Sequence, residues 1–209
     1  MVALKPALEE RGFEVAVFHA TGMGGRAFEG LAAEGAFAAV MDFAPQEVTN
    51  HHFGSNITAG ADRLTNAGRK GVPQMIAPGC YDLVDFVGWQ EPPARLSGYE
   101  THAHNRLLSS AMIGTEDRVE LAEVICGKLG QATGATAVFL PLQGCNEWDR
   151  EGAPLHDGEG LAAFMGALQQ HMPANATTYE LDCHINDAGF AEAVLSVFDK
   201  WLAEGVVTR

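Results

Sequence analysis

The apolar spacing along this chain switches repeatedly, from short runs rich in β-branched residues to stripes that recur every three or four positions. That alternation constrains the fold most, because strands alternating with helices close into a parallel sheet whose crossover helices cover its faces. The pattern predicts an α/β fold, Rossmann-like and doubly wound, with a mostly parallel sheet and helices on both faces. Residues 1–209 read as a single domain, and 47% hydrophobic residues are enough to fill a sizeable core.

A helix over 2–11 is stopped by Gly12, and the run 13–19 reads as a buried strand emptying into Ala20-Thr21-Gly22-Met23-Gly24-Gly25. A helix to Gly35, a strand over 37–43, an irregular polar stretch over 47–56, a helix over 59–69 and a strand over 73–77 follow, the last ended by Pro78-Gly79. Residues 80–97 carry Gly88 and Pro92-Pro93, which forbid a long regular element, so they read as a flap or partner-contacting loop packed by Phe86 and Trp89. Next come a short strand over 99–104, a helix opened by Thr115 and closed by Gly130, a core strand over 135–140 and a helix capped by Asp157. A strand over 177–184 and an amphipathic helix with Phe190, Val194, Val197, Phe198 and Trp201 along one side complete the order.

Charge narrows the partners. Lys and Arg number 13 against 27 Asp and Glu, a formal charge of -14 that repels nucleic acid and anionic membrane surfaces alike. An anionic ligand must therefore be held by local geometry. No apolar run approaches the ~20 residues that span a bilayer, and no signal-peptide core follows Met1, so a cytoplasmic protein is expected. The four cysteines form no C-x-x-C pair and give no disulfide framework.

Ligands of open α/β sheets collect beyond the carboxyl ends of the strands, and polar, glycine and titratable residues concentrate there in this sequence. The turn bearing Thr21, Gly22, Gly24 and Gly25 runs from a strand into a helix, so its amides suit a phosphate or carboxylate. It lacks the Lys-Ser/Thr of a P-loop and the spacing of a dinucleotide fingerprint, and a bare structural turn is the competing reading. Glu47, His104 and His184 are the acid/base candidates, with Asn105 and Asn186 facing the same cleft. Cys80, in a Pro-Gly-Cys turn, is a weaker nucleophile candidate. His102 and His104 share a strand face and, with His19, His51, His52 and His184, invite a metal-dependent hydrolase reading; no H-E-x-x-H spacing supports it, and no metal ligands are assigned.

Taken together, F-H-A-T-G-x-G-G-R-A at 18–27, P-x-x-x-x-P-G at 73–79, His104-Asn105, L-P-L-x-G at 140–144 and His184-Ile185-Asn186-Asp187 resemble the C-terminal half of the tomato mosaic virus resistance protein family. The resemblance implies a protein of two Rossmann-like halves, the N-terminal one ATP-binding, assembled as a homo-oligomer built from dimers. ATP would thus enter through the absent N-terminal half, and no cofactor is assigned to these residues. It also implies a strand ahead of the first helix, which here opens at once with Met1-Val2. The chain is then the C-terminal half of a larger two-domain protein lacking its first strand, with a sheet edge open to the N-terminal half or a partner chain. Asn50-His51-His52-Phe53 is more aromatic than the resemblance leads one to expect. The implied function is binding of a small anionic metabolite or nucleotide, the reaction left open. The alternatives are a non-catalytic oligomerisation or protein-interaction domain, docking through 81–89, and the hydrolase.

Overall fold

The chain, described over residues 3–208 in a computed structural model, folds into α1 (Leu4–Glu10), α2 (Met23–Glu34), β1 (Val40–Asp42), α3 (Gln46–His52), α4 (Asn66–Lys70) and β2 (Gln74–Ile76) in its first part. There follow β3 (Leu83–Val87), a 3-10 turn, β4 (Thr101–Ala103), β5 (Leu108–Met112), α5 (Thr115–Leu129), β6 (Thr136–Pro141), α6 (Gly158–His171), β7 (Ala176–Leu181) and α7 (Ala188–Ala203). The expected helix start at Val2 lies outside the described residues.

Four strands pair in parallel in the order β1-β2-β6-β7, as the alternation predicts. Their two faces follow from the two-residue period of a strand. Ile76, Val138 and Leu140 enter one core with α3, α5 and α6, whereas Met75, Ala77, Ala137 and Phe139 enter another with α1 and α7. Such two-sided burial explains why all six residues of β6 are buried and read as one apolar run. Near β1 a smaller cluster of Ala32, Val40, Ala67 and Val72 seats α2 and α4.

Four expectations are corrected. Residues 80–97 are not irregular throughout: β3 joins β5 and β4 in a separate antiparallel sheet of order β3-β5-β4, with Val84 opposite Ala111. The irregular stretch contains α3, and the helix expected over 59–69 contracts to the single turn of α4, because Leu64 takes a left-handed φ of 69° just before it. Residues 13–19 link α1 to α2 and form neither helix nor sheet strand. Phe13 and Val15 pack toward α7 and Phe18 packs on Phe28 and Phe37, while Val17 is 55% exposed. Strand-like side-chain packing is present there without strand pairing.

Candidate functional site

The carboxyl ends of the parallel strands meet at one rim. Gly79, just past β2, is wedged between the Phe43 carbonyl beyond β1 and the Ile185 side chain beyond β7, so closely that a Cβ would overlap Phe43 O. Cys80 N–H donates to Cys145 O at 3.0 Å, tying that turn to the one after β6. Two buried polar networks flank this seam.

The first is built on Arg63, 2% exposed. Its Nε donates to Glu47 Oε2 at 2.7 Å, and its two terminal nitrogens form a bidentate pair with the Asp42 carboxylate, 2.9 Å for Nη2 to Oδ1. Glu29 of α2 approaches Nη1 at 3.5 Å and accepts the Leu64 and Asn66 amides. Burial depresses the Arg63 guanidinium, but Asp42 and Glu47 outweigh it and hold the pKa above its ordinary value. Glu29 shifts upward because burial outweighs its amide donors. Asp42 reaches the network because β1 puts it on the face of Ile76 and Val138, toward α3.

Glu47 links this network to the glycine turn. Its other oxygen, Oε1, accepts the Gly22 N–H, and a Cβ on Gly25 would overlap the same carboxylate. The side chain has no solvent exposure, with each oxygen bonded within the fold. Gly22 itself takes a φ of 95°, a conformation that favours glycine, and Gly24 lets the first turn of α2 lie directly on His19 O. Thr21 is half-buried beside them.

The second network surrounds His184, 1% exposed at the end of the β7 segment. Asn186 N–H donates to Nδ1 at 3.1 Å, which leaves Nε2 as the donor, facing Asp149 Oδ1 and Asn146 O at 2.9 Å each. Asp149 accepts the Cys145 and Asn146 amides, and Asn146 Nδ2 donates to Asp82 Oδ1 at 3.0 Å. Asp82, 2% exposed, is pushed up to about 6 by burial, partly offset by Arg118 and reinforced by Asp149. Burial, then Asp82, Asp85 and Asp149, push the Cys80 thiol up to about 12, which is the opposite of an activated thiolate.

The remaining predicted residues sit apart from these networks. His104 is exposed in the turn between β4 and β5 and meets Trp148 edge-on, ring centroids 5.3 Å apart, which sets it against the β6–α6 loop that also carries Asn146 and Asp149. Asn105 serves that turn: its Oδ1 accepts the Leu107 and Leu108 amides at 2.7 and 2.9 Å. Asn186, exposed, donates to Glu147 at 3.1 Å. The structure therefore groups Thr21, Gly22, Gly24, Gly25 and Glu47 at one end of the rim and His184 with Asn186 at the other. Among the described residues no group of three His, Cys, Asp or Glu side chains is arranged to hold a metal ion, and no helix is long and apolar enough to cross a membrane.

Residues 1–202 match the family model described as the C-terminal domain of uncharacterised protein family UPF0261. The chain belongs to UPF0261. A UPF0261 protein of Brucella melitensis is 50% identical over 99% of this chain, and one of Clostridium tetani is 35% identical over 91%. The ToMV resistance protein Tm-1 of Solanum lycopersicum is 31% identical over 94% of the chain, in agreement with the resemblance carried by the strand-end motifs. The alignments cover 49% of the Brucella protein, 47% of the Clostridium protein and 26% of the tomato protein, so this chain spans about half the length of its bacterial relatives or less.

Sequence reasoning missed Arg63, Glu29, Arg118 and Asp149 as members of the networks. The signal for Arg63 was a cation directly before an apolar residue, Leu64, in a stretch assigned to helix. Nothing in the spacing of Asp149 pairs it with a histidine 35 positions on.

Proposed function

We propose that this UPF0261 domain binds a small anionic metabolite or nucleotide at the rim formed by its strand ends, as the C-terminal part of a longer protein. One observation carries the reading: the glycine turn ahead of α2 already holds a carboxylate, that of Glu47, on the Gly22 amide. Such a turn is an anion cradle, since its amides and the positive end of a 12-residue helix point at one spot. The leading amides of α2 beyond Gly22 have no intrahelical partner and favour a ligand oxygen next to the internal carboxylate. Asn186, exposed at the other end of the same rim, would meet only a ligand long enough to span it, and buried His184 would act by holding the loop that presents Asn186. As the family resemblance implies, ATP would bind to an N-terminal half and not to these residues.

Thermal melts of the chain with inorganic phosphate, sulfate, AMP and ATP test this reading. At least one should raise Tm by several degrees at saturating concentration. Thr21→Glu, a new negative charge beside the turn, should abolish that shift while leaving the unliganded Tm close to the parent's. A flat response across the whole panel sinks the reading.

A second reading, a protein-interaction domain, is favoured by the tip of the antiparallel sheet. Trp89 and Leu107 are 65% and 61% exposed there, and Gly88 N–H donates to Leu107 O at 2.9 Å, so the two side chains flank one spot. The expected docking segment 81–89 thereby shrinks to Trp89, because Tyr81–Phe86 are buried. If this tip mediates homo-oligomers, Trp89→Ser will lower the sedimentation coefficient; an unchanged value removes the tip from consideration.

A further inference from the structure

Between residues 13–20 and β1 lies a cavity of about 690 Å³. Protein interiors are packed like organic crystals and hold few voids larger than a water, so an opening of this size between two backbone segments marks room for an element. Its two long walls are two continuous segments: residues 13–20 on one side and 36–44, which include β1, on the other. Its floor is apolar, with Leu4 and Leu8 of α1 and Phe198 of α7 on one face and Phe28 of α2 on the other.

Both walls present unused strand edges. On β1, Val40 N–H donates to Pro73 O at 2.9 Å and Asp42 O accepts the Ala77 amide at 3.1 Å, so those residues bond toward β2. Alternate residues of a strand bond to opposite neighbours, which turns the main-chain groups of Ala39 and Met41 into the cavity. On the other wall, residues 14–19 donate no main-chain hydrogen bond to any described strand. Phe13, Val15 and Phe18 nonetheless pack as sheet residues do, Phe13 and Val15 into the α1–α7 core and Phe18 against Phe37.

We propose that this cavity is the seat of a parallel, apolar β-strand of about six or seven residues, supplied by the polypeptide that precedes this region in the longer UPF0261 proteins. Three observations choose that occupant over any other. A strand entering α1 and crossing to residues 13–19 with the usual right-handed connection lies beside 13–19, where the cavity is. The matching family model is a C-terminal domain, and about half of the Brucella relative lies outside the aligned region. Both faces of the cavity are apolar, which asks for β-branched and small residues of the kind that fill a central parallel strand. Occupied, the sheet continues from 13–19 through the guest strand to β1 without a break. The carboxyl end of the guest would then stop among Gly25, His19, Asp42 and Arg63, which line that end of the cavity. In an open α/β sheet the crevice beside a change of strand order is where ligands bind. Chain order reverses at the guest strand, so the glycine turn and the Arg63 network become one side of a site whose other side the guest brings.

The test uses the chain as it is, together with a synthetic peptide of about 14 residues copying the stretch just ahead of the aligned region in the Brucella melitensis relative. Hydrogen exchange is followed amide by amide with no metabolite present, so the result does not depend on the anion reading. The peptide should bind and slow exchange of residues 14–19 and 39–43 by roughly tenfold or more, with little change in β7. A version with proline at two alternate central positions, unable to donate to either wall, should have no effect. Absence of binding, or binding that leaves those amides unchanged, overturns the proposal. So does protection of both walls without peptide in a concentration-dependent dimer, which would make a second copy of the chain the occupant.

Discussion

Arg63 is the residue on which most buried charge depends. One guanidinium answers Asp42 and Glu47 directly and Glu29 at longer range, with all four side chains at most 8% exposed. Removing one partner of a buried ion pair leaves the other charged in a medium that cannot solvate it, a loss of about 3–5 kcal/mol. Arg63→Met should therefore lower the unfolding free energy from urea titration by that amount; a loss below about 1 kcal/mol, the worth of an exposed pair, would mean that water reaches the network. Asp82 offers a different signature, in pH. Its carboxyl titrates near 6 in the folded chain against an ordinary 3.8, so between those values the native state keeps a proton that the unfolded chain has released. Stability linked to Asp82 is thus complete below about pH 4 and is lost as pH rises through 6. Asp82→Asn removes that dependence, and urea titrations at pH 4 and 7 should show the variant losing less stability over the interval than the parent; parallel losses would contradict the assignment. How much of this site the sequence disclosed follows from the same residues. The glycine turn and Glu47 could be named because strand-to-helix glycines and nearby carboxylates have a positional meaning. That Glu47 is also bonded to Arg63 depends on the path of residues 53–63, part of which the sequence assigns to a helix that begins only at Asn66.

At the scale of single elements, α2 holds a controlled comparison. Gly25 and Gly30 lie in the same helix, yet a Cβ at Gly25 overlaps the Glu47 carboxylate whereas one at Gly30 meets nothing within 4 Å. Gly30→Ala should gain about 0.5–1 kcal/mol from helix propensity, and Gly25→Ala should be destabilising although the propensity change is identical. Urea titration of the two variants reads the difference directly, and equal effects would show that Glu47 moves aside at no cost. Elements were legible in the sequence in proportion to how sharply one side of them is buried. α5, α6 and α7 announced themselves through apolar stripes, α6 also through Asp157, whose Oδ1 accepts the Gly160 amide at 2.9 Å. β6 announced itself as an unbroken apolar run. By contrast α3 buries Glu47, Thr49 and Asn50 and so shows no apolar stripe. β3 and β5 were hidden for a related reason: Asp85 of β3 is buried with Ser110 of β5 donating to it at 2.5 Å, so polar residues stand where an inward-facing apolar one would signal a strand. Residues 13–19 are the inverse case, a strand signal answered by a segment that pairs with no strand among the described residues.

For the molecule as a whole, main-chain pairing is unequal from one side of the sheet to the other. β6 is bonded to β7 along its length and to β2 over residues 136–138, and is covered on both faces, whereas 13–19 and the outer edge of β1 border an open cavity. Stability should follow that gradient, because an amide exchanges through the least costly opening that frees it. In the chain alone, residues 137–140 should exchange only through global unfolding, and residues 14–19 faster by about a thousandfold or more. Ala39 and Met41 should fall between, their edge open but their strand held by β2. Amide-resolved exchange under native conditions gives the ordering without any ligand. If residues 14–19 prove as slow as β6, the cavity is closed in solution, and with it goes the case for a guest strand. If the gradient holds, the weakest region coincides with the end of the rim where Gly25, Asp42 and Arg63 meet the cavity, so whatever seats a strand there stabilises the fold and completes the candidate site in one step.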